Sequence, residues 1–140
     1  MIRLAETSDI PRIRALMRSI AGLWDESWRP DVLEQALASR QTIALVHDEG
    51  GTVDGFACAH DVAFRGYVSE FVVSPESQGR GVGALLLSEI EGRLFDRGCH
   101  VVIADVWRNA EGFYRTRGWT PPEVVLLRKH LGVTADPKHS

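Results

Sequence analysis

Residues 67 to 98 decide the fold. They read Tyr67-Val-Ser-Glu-Phe-Val-Val73, Ser74-Pro-Glu-Ser-Gln78, Gly79-Arg-Gly-Val-Gly83, and then Ala84 to Gly98. The first seven residues are β-branched and aromatic in the manner of a strand, and Pro75 stops it. Three glycines in the six positions from Gln78 to Gly83 are too many for a helix interior. After Val82 the apolar residues Leu85, Leu86, Ile90, Leu94 and Phe95 recur at helical spacing, and Gly98 closes the helix. The unit is strand, glycine loop, helix. The first N–H groups of a helix have no partner within it, and the helix dipole places positive charge there. Glycines let an anion approach those groups, and Arg80 adds a formal charge beside them, so the loop reads as a pyrophosphate cradle.

The rest of the chain falls into place on either side. Met1 to Ala5 reads as a short strand. Thr7-Ser-Asp9 before Pro11 reads as a helix start, with Ile10, Ile13, Leu16, Met17 and Ile20 as its apolar face and Gly22 as its end. Leu23 to Pro30 is a loop carrying Trp24, Asp25, Glu26 and Trp28. Asp31 is placed to cap a second helix whose inner side is Val32, Leu33, Ala36 and Leu37. Thr42–His47 and Val53–Phe64 read as a hairpin turning at Asp48-Glu-Gly-Gly51. Cys99–Trp107 is apolar enough for a strand buried on both faces. Asn109 opens a short helix to Arg117, Glu123–Leu131 reads as a last strand, and residues 132 to 140 as a polar tail. The order β-α-α-β-β-β-α-β-α-β predicts an α/β (α+β) fold: one domain over residues 1–131, with a mixed, mostly antiparallel sheet and one β-α-β crossover.

Composition bounds the function classes. The chain has 140 residues, 44% of them hydrophobic and 25% charged, which suits one globular domain. A net charge of −3 is the wrong sign for a nucleic-acid partner. No apolar run reaches membrane-span length and Met1-Ile-Arg-Leu-Ala-Glu lacks a signal-peptide core, so the expected compartment is the cytoplasm. Cys58 and Cys99 read as small core residues, and His47, His130 and His139 show no metal-ligand spacing.

Gln78-Gly-Arg-Gly81-Val-Gly83 resembles the acyl-CoA-binding signature of the GNAT superfamily of N-acetyltransferases. The resemblance continues through Val72-Val73-Ser74-Pro75, through Asn109-Ala-Glu-Gly-Phe-Tyr114-Arg-Thr-Arg-Gly118-Trp119, and into Leu127-Arg-Lys-His-Leu131. It implies a central β-α-β acyl-CoA-binding unit in which the flanking strands splay and the pantetheine arm lies between them. It also implies acetyl-CoA as acyl donor, with Phe71, Val72, Val73, Gln78, Gly79, Arg80, Gly81, Val82, Gly83 and Asn109 contacting it. A bulge freeing the Phe71–Val73 amides would suit them to an oxyanion. Asn109 also suits an N-cap.

The chemistry needs a proton donor and an acceptor. The resemblance makes Tyr114 the acid; a phenol of pKa about 10 is protonated at neutral pH and can donate to a leaving thiolate. The alternative for Tyr114 is an ordinary helix aromatic. Glu70, beside the oxyanion stretch, is the candidate base, although strand alternation puts it on one face with Val68 and Val72 and puts Tyr67, Ser69 and Phe71 on the other. Many family members carry an acid where this chain has Ser69 or Tyr67. Trp24, Asp25, Glu26 and Trp28 fall where the family's substrate lid lies, and acids among aromatic rings suit a small cationic amine. The expected reaction is direct attack of an amine on acetyl-CoA in a ternary complex. The alternatives are a non-catalytic acyl-CoA-binding or sensing module, and a nucleotide enzyme, since Gly79-x-Gly81-x-x-Ala84 also fits a dinucleotide pattern. The chain is one terminal strand short of many family members, and a second subunit completing that edge would make a homodimer.

Overall fold

The computed structural model describes residues 1 to 132; the rest of the expected tail, 133 to 140, lies outside the described residues. Two compact units are present, residues 1–104 and residues 105 onward.

The first unit is a five-stranded sheet in the order β1-β2-β3-β4-β5. Its strands are β1 (Ile2–Leu4), β2 (Thr42–Glu49), β3 (Thr52–Asp61), β4 (Gly66–Val73) and β5 (Val102–Ala104). Neighbours pair antiparallel except β4 and β5, which are parallel and joined through a helix. That is the mixed α/β architecture expected. The helices are α1 (Ile10–Arg18), α2 (Val32–Ala38) and α3 (Val82–Asp96).

Pleating sorts the two faces. Ala44, Val46, Phe56, Cys58 and Val72 form one core with Ile10, Ile13, Leu16 and Met17 of α1 and Leu33 of α2. The residues of alternate parity look the other way. A Cβ at Gly55 would lie 2.8 Å from Leu86, and one at Gly66 2.7 Å from Leu94, so α3 lies directly on the backbone of that face. Leu86, Leu87, Ile90 and Leu94 are the buried stripe of α3, each worth roughly 1.5–3 kcal/mol on burial. Leu85 and Phe95, expected inside, are exposed; Phe95 packs edge-on against His100 instead, at 5.4 Å.

Several boundaries differ from expectation for local reasons. α1 stops at Arg18 and a turn carries the chain on to Gly22, so that glycine does not end the helix. Asp31 does not cap α2 with its side chain; it accepts a hydrogen bond from Gln35 at 2.7 Å. β5 is three residues rather than nine, and Val101 and Ile103 are exposed, so it is an edge strand and not one buried on both faces.

Asp9 joins β1, α1 and the β2–β3 hairpin. Fully buried, it receives both terminal nitrogens of Arg3 at 2.8 and 2.9 Å, Arg12 at 2.9 Å, and the Glu6 N–H at 2.8 Å. Arg3 also holds Asp48, and Arg12 the Gly51 carbonyl. The Arg3 hydrogen bonds, working against burial, draw the Asp9 carboxyl down to about 2.

In the second unit α4 (Glu111–Arg115) follows a 3-10 turn over Arg108–Ala110. The expected strand Glu123–Leu131 is not formed: residues 120–132 are irregular, and Val124, Val125, Leu126 and Leu127 are exposed. A strand needs a ladder to satisfy its backbone, and β propensity alone does not supply one.

Asp9 releases its proton more readily when folded than when unfolded, where its pKa is near 3.8. Its stabilisation is therefore present above that pH and lost as pH falls towards 2. We predict that Asp9→Asn costs about 2 kcal/mol at pH 7, and that the deficit shrinks between pH 4 and pH 2, read from urea midpoints at each pH.

Candidate active site

The β4–β5 ladder covers only Gly66 to Val68 against Val102 to Ala104. Beyond it, Ser69–Val73 stays on β3 alone, and β5 ends at Ala104. The expected bulge is present, but at Ser69 rather than at Phe71–Val73: Cys58 pairs with Glu70 and Ala59 with Val68, leaving Ser69 as the extra residue. The end of the β5 ladder, not the bulge, leaves the outer edge of β4 without a strand neighbour from Ser69 to Val73 among the described residues.

The bulge also reverses the expected facing. Val68 pairs with Ala59 on the α3 side, whereas Glu70 pairs with Cys58 and Val72 with Phe56 on the α1–α2 side. Tyr67 pairs with His60, and Ser69 hydrogen-bonds to it. Tyr67, Ser69 and Glu70 therefore share one face, the one on which Trp24 and Trp28 pack against the core. Alternation counted through the bulge assigns Glu70 wrongly relative to Val68, Tyr67 and Ser69.

The glycine loop is braced from below. Ser77, in the 3-10 turn Pro75–Ser77, donates to Asp54 at 2.8 Å; Asp54 lies 2.6 Å from His47 Nδ1, and its carbonyl accepts the Ser74 N–H at 2.7 Å. All three side chains are buried. Burial pushes the Asp54 carboxyl up, but the Ser77 and His47 hydrogen bonds outweigh it and the net shift is down. Asp54 sits between the hydroxyl and the imidazole, so the trio is a brace and not a nucleophile with its base. Gln78 turns back and donates to the Val73 carbonyl at 3.2 Å.

Gly79 and Gly81 hold φ of 83° and 84°, the left-handed region, and Gly81 is the N-cap of α3. Among the described residues, the N–H groups of Gly79, Gly81, Val82, Gly83 and Ala84 have no carbonyl partner. A Cβ on Gly79 or Gly81 meets nothing within 4 Å there, so the loop is open outward. Arg80 is exposed and forms no ion pair among the described residues. Bare donors, a helix N-terminus of 15 residues and one cation suit a pyrophosphate. The loop thus fits the phosphates of coenzyme A.

The residues expected at a substrate lid are partly engaged. Trp24 and Trp28 meet edge-to-face at 5.1 Å. Arg18 lies 4.7 Å over Trp24 and bonds Glu26 at 2.8 Å, so one ring face and one acid have a cation already. Asp25, exposed, accepts from the Ser27 N–H and hydroxyl.

In the second unit Tyr114 is buried, with Phe113 and Trp119 edge-on at 5.2 Å each. Burial, then Asp105, pushes its phenol up to about 12. Asn109 lies exposed within the 3-10 turn, and Ala110, not Asn109, is the N-cap of α4. Cys58 is buried and its thiol is pushed up to about 12 by burial and by Glu70; the Cys99 thiol is raised as well. Neither is a thiolate at neutral pH. Sequence reasoning missed His60 and Asp54, whose partners come from other strands.

The sequence pattern of the Acetyltransferase (GNAT) family matches residues 10–119. This chain belongs to that family, the acetyl-CoA-dependent N-acetyltransferases. Among solved structures it is similar to aminoglycoside 6'-N-acetyltransferase AAC(6')-IG from Acinetobacter haemolyticus, at 16% identity and TM-score 0.78 over 94% of this chain and 99% of that one. It is also similar to a transcriptional regulator from Bacillus halodurans C-125, at 15% identity and TM-score 0.80 over 94% and 99%. Aminoglycoside N-acetyltransferase AAC(6')-Iy, solved in complex with CoA, matches at 17% identity and TM-score 0.80 over 94% of each chain. These likenesses establish a common fold.

Gly81→Val places a branched side chain at φ 84° at the mouth of α3. We predict a loss of CoA affinity of at least about tenfold by titration calorimetry, because left-handed backbone costs a non-glycine residue roughly 1–2 kcal/mol and the side chain screens the N–H groups.

Proposed function

We propose that residues 1–131 form one cytoplasmic N-acetyltransferase domain that acetylates a small cationic primary amine by direct attack in a ternary complex. The observation that carries this reading is the open row of N–H groups at α3, beside a strand edge released from its neighbour. Gln78, Gly79, Arg80, Gly81, Val82 and Gly83 would hold the phosphates, Phe71, Val72 and Val73 would line the pantetheine arm, and Asn109 would contact it. Bound acetyl-CoA supplies an activated thioester.

The chain's own groups then handle charge and protons. N–H groups along Phe71–Val73 stabilise the carbonyl oxygen as negative charge develops. Tyr114, with its pKa about 12, stays protonated through the neutral range and gives its proton to the departing sulfur. The carboxylates of Glu70, Asp25 and Glu26 draw a cationic acceptor, and Trp24 and Trp28 shape the loop that receives it. The aminoglycoside acetyltransferases of the same fold support a polyamine-like or aminosugar acceptor. The exposed β5 edge, with Val101 and Ile103 uncovered, supports a homodimer in which a second copy covers it.

The reading is tested by incubating the protein with acetyl-CoA and a panel of spermidine, tobramycin and simple amino acids, with detection of free thiol. Release with a cationic amine is the expected outcome; tight CoA binding with no release from any amine favours a sensing module instead. In the active pair, Tyr114→Phe should lower kcat by about 100-fold with the Kd for CoA within twofold, as loss of a general acid does. Unchanged turnover removes Tyr114 from the chemistry.

A further inference from the structure

The acceptor's proton needs a destination, and Glu70 is not the only group on that face. His60 stands on β3 with its ring between two hydroxyls. Nδ1 is 3.1 Å from Thr42 Oγ1 on β2, and Nε2 is 2.7 Å from Ser69 Oγ on β4. Ser69 is the bulged residue, the first past the end of the β4–β5 ladder. The bulge turns its hydroxyl onto the face shared with Glu70 and the tryptophan loop. Ser69 and His60 are both partly exposed, so the pair is reachable.

We propose that Ser69 and His60 form the proton relay that deprotonates the acceptor amine, with Ser69 Oγ touching the amine and His60 Nε2 receiving the proton through it. This rests on the acetyl-transfer reading above. An ammonium must lose one proton before it can attack. That N–H proton passes to Ser69 Oγ while the Ser69 hydroxyl proton passes to His60 Nε2. The products are a neutral amine, an intact serine hydroxyl and an imidazolium. As the N–C bond forms and the C–S bond breaks, the sulfur takes its proton from Tyr114, and the second proton shed by the acylated nitrogen restores the Tyr114 phenol through solvent. The imidazolium gives its proton back through Ser69 to solvent once product leaves.

The hydrogen-bond pattern fits this direction. With its proton on Nδ1, donating to Thr42 Oγ1, His60 leaves Nε2 as the acceptor. Ser69 Oγ also lies 3.4 Å from the Cys58 carbonyl, a longer and weaker alternative to the 2.7 Å contact. Burial lowers the His60 pKa below its ordinary 6.5, so the ring is neutral at pH 7 and able to accept. The titratable groups beside the imidazole on β3 and β4 are Cys58, Tyr67 and Glu70, and the tryptophan loop over this face adds Asp25 and Glu26, the latter paired with Arg18. The Cys58 sulfur is 3.8 Å from Nε2, but a thiol at about 12 neither donates readily nor competes as a base. The Tyr67 ring is 6.3 Å from the imidazole. Thr42 Oγ1 and Ser69 Oγ are the oxygen partners of the two ring nitrogens; Glu70 lies one residue beyond Ser69 on the same strand.

The test uses the full chain with acetyl-CoA and the panel amine that releases most thiol. His60→Gln and Ser69→Ala should each lower kcat/KM at pH 7 by about 100-fold, with CoA affinity by calorimetry within twofold, because a positioned base contributes at least that much. In both variants the rate should climb steadily with pH, replacing the single-proton acid limb of the wild type. Nitrogen-15 spectra of the wild-type imidazole should show Nδ1 protonated and Nε2 bare. A wild-type pH profile retained in His60→Gln, or a proton found on Nε2 at pH 7, overturns the relay while acetyl transfer stands. No thiol release from any amine overturns both.

Discussion

The molecule depends on β4 having two neighbours for three residues and one thereafter. Over Gly66–Val68 it is laddered to β3 and β5; from Ser69 onward it is held by β3 alone. A sheet gives up such hydrogen bonds only at a cost, since an unmet backbone group removed from water is unfavourable by about 1–3 kcal/mol. The arrangement persists because both ends of this stretch of β4 are fixed from elsewhere. At Gly66 and Gly55 the absence of side chains lets Leu94 and Leu86 of α3 reach the backbone, which holds the crossover helix against the sheet. At Ser69 the bulge takes up the extra residue and bends the strand away.

The same logic governs the loop beyond β4. Its outer face carries bare N–H groups and open space, so it is not held by contacts on that side. The bracing comes from underneath, through Asp54 to Ser77, the Ser74 N–H and His47. A buried carboxylate satisfied by several donors is rigid in a way that a surface contact is not. Asp9 does comparable work at the far side of the sheet, where one buried charge draws together Arg3, Arg12 and the start of α1. Two buried aspartates thus fix the frame, while the surface acids Glu26, Glu89 and Glu111 make exposed pairs that contribute little.

Local pattern carried furthest where one segment contains its own explanation. The glycine run, the proline before it and the helical spacing after it located the glycine loop and the start of α3 within two residues. The apolar face of α1 was legible for the same reason: Ile10, Ile13, Leu16 and Met17 are all buried. It carried least where a partner decides the outcome. Val124 to Leu127 has the composition of a strand, yet it is irregular and exposed, because a strand exists only with a ladder to join. Val101 and Ile103 read as doubly buried, yet Ile103 lies on a three-residue edge strand and Val101 just before it, both exposed.

The amino-acid sequence by itself determined the family and the β-loop-helix unit that defines it, because each depends on neighbours a few positions apart. The tertiary structure alone decided which side chains share a face. One surplus residue at Ser69 reverses the parity that any count along the strand assumes, and so brings Tyr67, Ser69 and Glu70 together with His60 from the adjoining strand. Register between strands is set by packing and hydrogen bonding across the sheet, and no periodicity within a single segment encodes it.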